Sequence, residues 1–109
     1  VKPMQLDVIR DRASLYTETN EGLVENTYTL KVINKSSEAR QFSLSVRGLE
    51  EVEWIGQQEV TVSAGEVYSL PISLASDPYL LPSSVTDIEF ILQAGEQQVS
   101  QASRFISGG

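Results

Sequence analysis

Val24-Glu25-Asn26-Thr27-Tyr28-Thr29-Leu30-Lys31-Val32-Ile33-Asn34 decides the fold. Tyr28, Leu30 and Val32 recur at every second position, and Thr27, Thr29 and Lys31 fill the gaps. A period of two sends these sets to opposite faces of a strand, one toward a core and one toward water. The β-branched and aromatic content suits such a half-buried pleated surface. Outward from here the pattern repeats. Asn34-Lys35-Ser36-Ser37 breaks the chain, and Phe42, Leu44 and Val46 then alternate with Gln41, Ser43, Ser45 and Arg47. These two runs are expected to pair as a hairpin with a loop longer than two residues.

The flanking sequence reads the same way. Leu6 and Val8 open an extended run that ends at Ile9-Arg10, and residues 12–17 offer a second short piece around Leu15 and Tyr16. Thr19-Asn20-Glu21-Gly22 is a turn cluster. Past Gly48, Val60 and Val62 mark a brief strand, followed by the turn Ser63-Ala64-Gly65-Glu66. Leu70, Ile72 and Leu74 alternate through Pro71, which donates no ladder bond and so belongs at an edge or with its nitrogen outward. Ile88, Phe90 and Leu92 form the next inward row, and Ala94-Gly95-Glu96 turns into a last strand over Val99–Ile106. No helical period runs to a useful length.

Seven or eight antiparallel strands in 109 residues match an immunoglobulin-like β-sandwich. One domain spans 1–109, with 1–4 and 107–109 expected to be loose. No disulfide staples it, because the chain has no cysteine. The absence of histidine and cysteine also removes Ser-His-Asp and Cys-His catalysis and the usual soft-metal ligands. The segment is therefore expected to be non-catalytic, with no cofactor or metal site of its own. Eight Lys+Arg against fifteen Asp+Glu give a net charge of −7. Clustered cations, which nucleic acid and anionic lipid both demand, are missing. The longest apolar stretches are a few residues, far short of the roughly 20 that a spanning helix needs. Beginning at Val1 without a signal sequence, the chain reads as an excised piece of something longer.

Four residues are candidate partner contacts. Asp77-Pro78-Tyr79-Leu80-Leu81 puts bulky side chains on an irregular segment, and loops at sandwich ends commonly carry binding. Tyr79, Leu80 and Leu81 are taken as contacts, with Trp54, the only tryptophan, as a fourth. The competing reading is that Trp54 caps the core and that residues 77–81 plug the sandwich end. Glu50, Glu51 and Glu53 can be read as a hard-cation site, but a solvated loop explains them better. Asp11 between Arg10 and Arg12 reads as an ordinary surface ion pair. Asn34-Lys35-Ser36 fits a glycosylation sequon, a pattern frequent by chance.

Leu6-Asp7-Val8-Ile9-Arg10-Asp11-Arg12, then Leu15-Tyr16, then the run from Glu21 to Lys35, closely resemble the C-terminal domain of the FixG/CcoG family of cytochrome c oxidase accessory proteins. The resemblance continues through Phe42–Gly48 and the Ala64-Gly65-Glu66 turn to Ile88–Leu92. It implies a bacterial inner-membrane parent whose cysteines, absent from this segment, hold [4Fe–4S] clusters. It also implies a part in assembling the cbb3-type oxidase, with this tail on the periplasmic side. Oxidase subunits, copper-delivery factors or another copy of the parent are the partners it suggests. The alternatives are a passive spacer that stabilises the membrane part, or an unrelated secreted ligand-binding sandwich.

Overall fold

A computed structural model describes residues 2–11 and 16–108. Among them are nine strands: β1 (Met4–Arg10), β2 (Thr17–Glu18), β3 (Val24–Asn34), β4 (Arg40–Arg47), β5 (Glu53–Ile55), β6 (Glu59–Val62), β7 (Val67–Ser76), β8 (Val85–Ala94) and β9 (Gln97–Ile106). A 3-10 turn over Pro78–Leu80 follows β7. The count exceeds expectation because β2 and β5 are only two and three residues long, too short for alternation to register. The expected extended piece over 12–17 is described only at Tyr16 and Thr17, the latter in β2; Arg12 to Leu15 lie outside the described residues.

Two antiparallel sheets face each other. The first has the order β1-β3-β7-β5, with β2 continuing along β3, and the second has the order β6-β4-β8-β9. The hairpin expected between β3 and β4 does not form. β3 pairs with β1 and β7, whereas β4 pairs with β6 and β8 in the other sheet. Alternation shows that each strand has an inner face but is silent about which sheet owns it. The residues between Asn34 and Arg40 are enough to step across a gap of about 10 Å. From β3 to β8 every connection makes such a crossing. The β8–β9 hairpin does form. Ala94 pairs with Gln97, leaving Gly95-Glu96 as the turn. Gly95 has φ 59° and Glu96 is not left-handed, the signs of a type II′ turn with glycine first.

The expected inner residues line the core, from Tyr28, Leu30 and Val32 to Ile88, Phe90 and Leu92, with Val46 half-buried. Phe105 is fully buried as well, although the sequence did not single it out. Removing Leu30 and Val32 from water is worth about 2 kcal/mol each. Met4 opens β1 opposite Asn34 and is buried. At the other terminus the Ser107 amide donates to the Ser84 carbonyl at 2.8 Å. Pro71 lies on an internal strand opposite Thr29, yet the β5 ladder has ended by Ser73. It thus sits where β7 has lost its outer neighbour, as a residue without an N–H requires.

Buried polar side chains tie the layers together. On β3 the inward row is Val24, Asn26, Tyr28, Leu30, Val32 and Asn34, so an asparagine stands near each end. The Asn26 amide donates to the Ile106 carbonyl and its oxygen accepts from the Ile106 amide, both at 2.8 Å. Tyr28 donates from its hydroxyl to the Arg104 carbonyl at 2.7 Å. Asn34 donates to the carbonyls of Glu38 (2.8 Å) and Val62 (2.9 Å) and accepts from the Ser36 amide and hydroxyl. The Asn34 side chain is fully buried with both amide hydrogens engaged, so the sequon is closed to a glycosyl donor in the folded protein.

Candidate functional site

The segment after β7 is shaped locally. Asp77 caps the 3-10 turn, its Oδ1 accepting from the Tyr79 amide at 2.9 Å, and Pro78 stands first with its φ already fixed. The Leu80 amide donates to the Asp77 carbonyl at 3.1 Å. The turn thereby holds its middle residue outward: Tyr79 is 94% exposed and Leu80 40%. Leu81 turns back and packs, partly buried, on the core.

Trp54 lies elsewhere. It is on β5 opposite the buried Leu74, so it faces inward. Its ring meets Phe90 edge to face, with centroids 6.0 Å apart, and Phe90 in turn meets Tyr28 at 4.9 Å. The indole N–H donates to the Gln57 carbonyl at 3.2 Å. Of the four candidates, Tyr79 and Leu80 share an outward turn, while Leu81 and Trp54 are partly spent on the core.

Tyr79 borders a shallow depression with Glu18, Gly22, Val24, Pro78 and Ser107. A second depression at the same end of the sandwich holds Leu23, Glu51, Val52, Glu53, Ala75 and Asp77. The Ser76 hydroxyl joins the two loops by donating to the Glu51 carbonyl at 2.6 Å. Glu50, Glu51 and Glu53 do not converge with a metal-holding geometry, and no such cluster occurs among the described residues.

Periodicity gave no hint of a third feature, an open groove of about 660 Å³ on the outer face of the second sheet. Arg47 and Glu89 pair across β4 and β8, the guanidinium Nε donating to Glu89 Oε1 at 2.8 Å. Arg104 stands 3.7 Å from Asp87 across β8 and β9. The Arg47 hydrogen bond, then its charge, holds the Glu89 carboxyl below the usual carboxylate range. Gly48 lets this edge close up: at φ 110° a Cβ there would stand 2.7 Å from the Asp87 carbonyl. These are solvent-exposed pairs of small energetic worth. At Asp11, the backbone amide donates to the Thr27 carbonyl at 2.9 Å, and Arg12 lies outside the described residues. Burial pushes the Tyr28 hydroxyl well above the ordinary tyrosine range, with Arg10 opposing weakly, so Tyr28 remains a donor.

Residues 1–108 match the family described as "IG-like fold at C-terminal of FixG, putative oxidoreductase". The crystal structure of a FixG-related protein from Vibrio parahaemolyticus is similar over 98% of each chain, at 45% identity and a TM-score of 0.87. Among curated proteins, none matches.

Proposed function

Because the chain belongs to the family of immunoglobulin-like domains at the C-terminus of FixG, we propose that it is the non-catalytic interaction domain of a FixG-like, membrane-bound iron–sulfur protein serving assembly of a cbb3-type cytochrome oxidase. In this reading the [4Fe–4S] clusters and the electron transfer belong to the rest of the parent. The domain stands on the periplasmic side of the inner membrane and contacts an oxidase subunit, a copper-delivery factor or another copy of the parent.

The observation that carries a docking role is the presentation of Tyr79. The Asp77 cap fixes the backbone that carries this aromatic, which is left 94% exposed. Preorganised aromatic anchors lose little entropy on binding and dominate interface energetics.

The test uses the full-length parent with Tyr79→Ala/Leu80→Ala; Leu81 is left alone because it supports the core. Oxidase maturation is expected to fail while the parent's abundance and the domain's melting temperature hold. Normal maturation in the double variant, with lost abundance on deleting the whole domain, would leave the spacer role instead.

A further inference from the structure

Resting on that docking role, we infer that the Tyr79 end receives a basic amphipathic segment of its partner, one whose aliphatic side chains are flanked by Lys or Arg. From Gly48 through Ser103 the chain contains no Lys or Arg. The strand register brings Glu51, Glu53 and Asp77 of that stretch to one end, while Glu66 and Glu96 lie toward the other. Glu53 pairs with Ala75, Val24 pairs with Ser76 and Glu18, and the Ser76 hydroxyl holds the Glu51 carbonyl. Glu18, Glu21, Glu51, Glu53 and Asp77 therefore ring the tip. None of them enters the two ion pairs of the described residues, Arg47–Glu89 and Arg104–Asp87. Lys31, Lys35 and Arg40 lie toward the opposite end, where Asn34 and Val62 meet.

Apolar side chains stand exposed at the same end. Tyr79, Leu80, Val52 and Val85 are half of the large hydrophobic side chains that stand exposed among the described residues. Exposed apolar side chains interspersed with carboxylates call for a partner segment that offers both apolar and basic side chains. A second copy meeting this end two-fold symmetrically would set the carboxylates against their own equivalents. An anionic lipid surface would be repelled in the same way.

The experiment titrates the isotope-labelled domain, followed by NMR, with synthetic amphipathic peptides that share one leucine face. One is rich in Lys and Arg, one carries equal Lys and Glu, and one is rich in Glu. A fourth keeps the basic residues but replaces the leucines by serine. Saturating shifts at Val52, Tyr79 and Leu80 are expected only with the basic leucine peptide, weakening as salt rises. Tyr79→Ser should weaken that binding about tenfold, the scale of one lost anchor. Glu51→Gln/Glu53→Gln should flatten its salt dependence. Equal binding of the serine peptide, preference for the Glu-rich peptide, no binding, or self-association abolished by Tyr79→Ser would each overturn the inference. If maturation nevertheless fails in the Tyr79→Ala/Leu80→Ala parent, the docking role survives and only the partner's chemistry is wrong.

Discussion

The two ends of β3 carry the same residue in the same orientation, and they do different work. Asn34 is satisfied by its own neighbourhood: Ser36 and Glu38 supply three of its four side-chain hydrogen bonds, and Val62 supplies the fourth. Among the described residues, Asn26 has no local side-chain partner. It reaches 80 positions along the chain to close both backbone groups of Ile106, the last residue of β9. Asn34 thus shapes a crossover, while Asn26 stitches the end of one sheet to the other. The stitched end is also the one that presents Tyr79, whose depression includes Val24 and Ser107, flanking this clamp. The clamp thus holds the end of β9 beside the turn that carries Tyr79.

The sharpest way to break the comparison is to remove each asparagine. Asn34→Ala deletes four hydrogen bonds at a fully buried site and is expected to cost about 4 kcal/mol in denaturant unfolding, at roughly 1 kcal/mol per bond. Asn26→Ala deletes two and should cost about 2 kcal/mol. Hydrogen exchange separates them further. Losing Asn26 should release the Ile106 amide selectively, whereas losing Asn34 should lower protection across the whole sandwich. Equal global loss from both would show that the ends are one cooperative unit.

Tyr28→Phe probes the stitched side next, through the bond to the Arg104 carbonyl, and should cost about 1 kcal/mol. The folded hydroxyl titrates above its unfolded counterpart, so its contribution is complete below the ordinary tyrosine range and is lost as pH rises beyond it. The alkaline fall in melting temperature should accordingly be shallower in Tyr28→Phe.

Thr86, on β8 beside the same end, points the other way. Its Oγ1 is buried and has no hydrogen-bond partner among the described residues, so Thr86→Val should gain about 1 kcal/mol. The smallest effect belongs to the outer face. Glu89 titrates below the ordinary range while Arg47 donates to it, so its contribution is present above that range and fades as pH falls through the lowered value. In Arg47→Gln an NMR titration should find the Glu89 midpoint moved up toward the ordinary carboxylate value.

The same two asparagines show how far the sequence could be read. Asn34 was visible as a turn residue because Asn-Lys-Ser-Ser punctuates the chain. Its burial and that of Asn26 were implicit in parity, since both fall on the row of Tyr28, Leu30 and Val32. Parity could not say that Ile106 would arrive to pair with Asn26. The candidate contacts divided for a related reason. Pro78 and the Asp77 cap act within a few residues and fixed Tyr79 outward, whereas Trp54 faces Phe90 only because β5 docks beside β7.

The alternation of apolar residues by itself determined that this chain is a sandwich of short antiparallel strands with one apolar face each. A strand's two faces are a property of its own backbone. Which sheet each strand joins, and which loops share an end, were decided only when the layers met. The partners of β3 and β4 lie far along the chain, and the gap between the sheets is short enough for any modest loop to cross. The meeting of the Tyr79 turn with Glu18, Glu51 and Glu53 at one end is a product of that second decision.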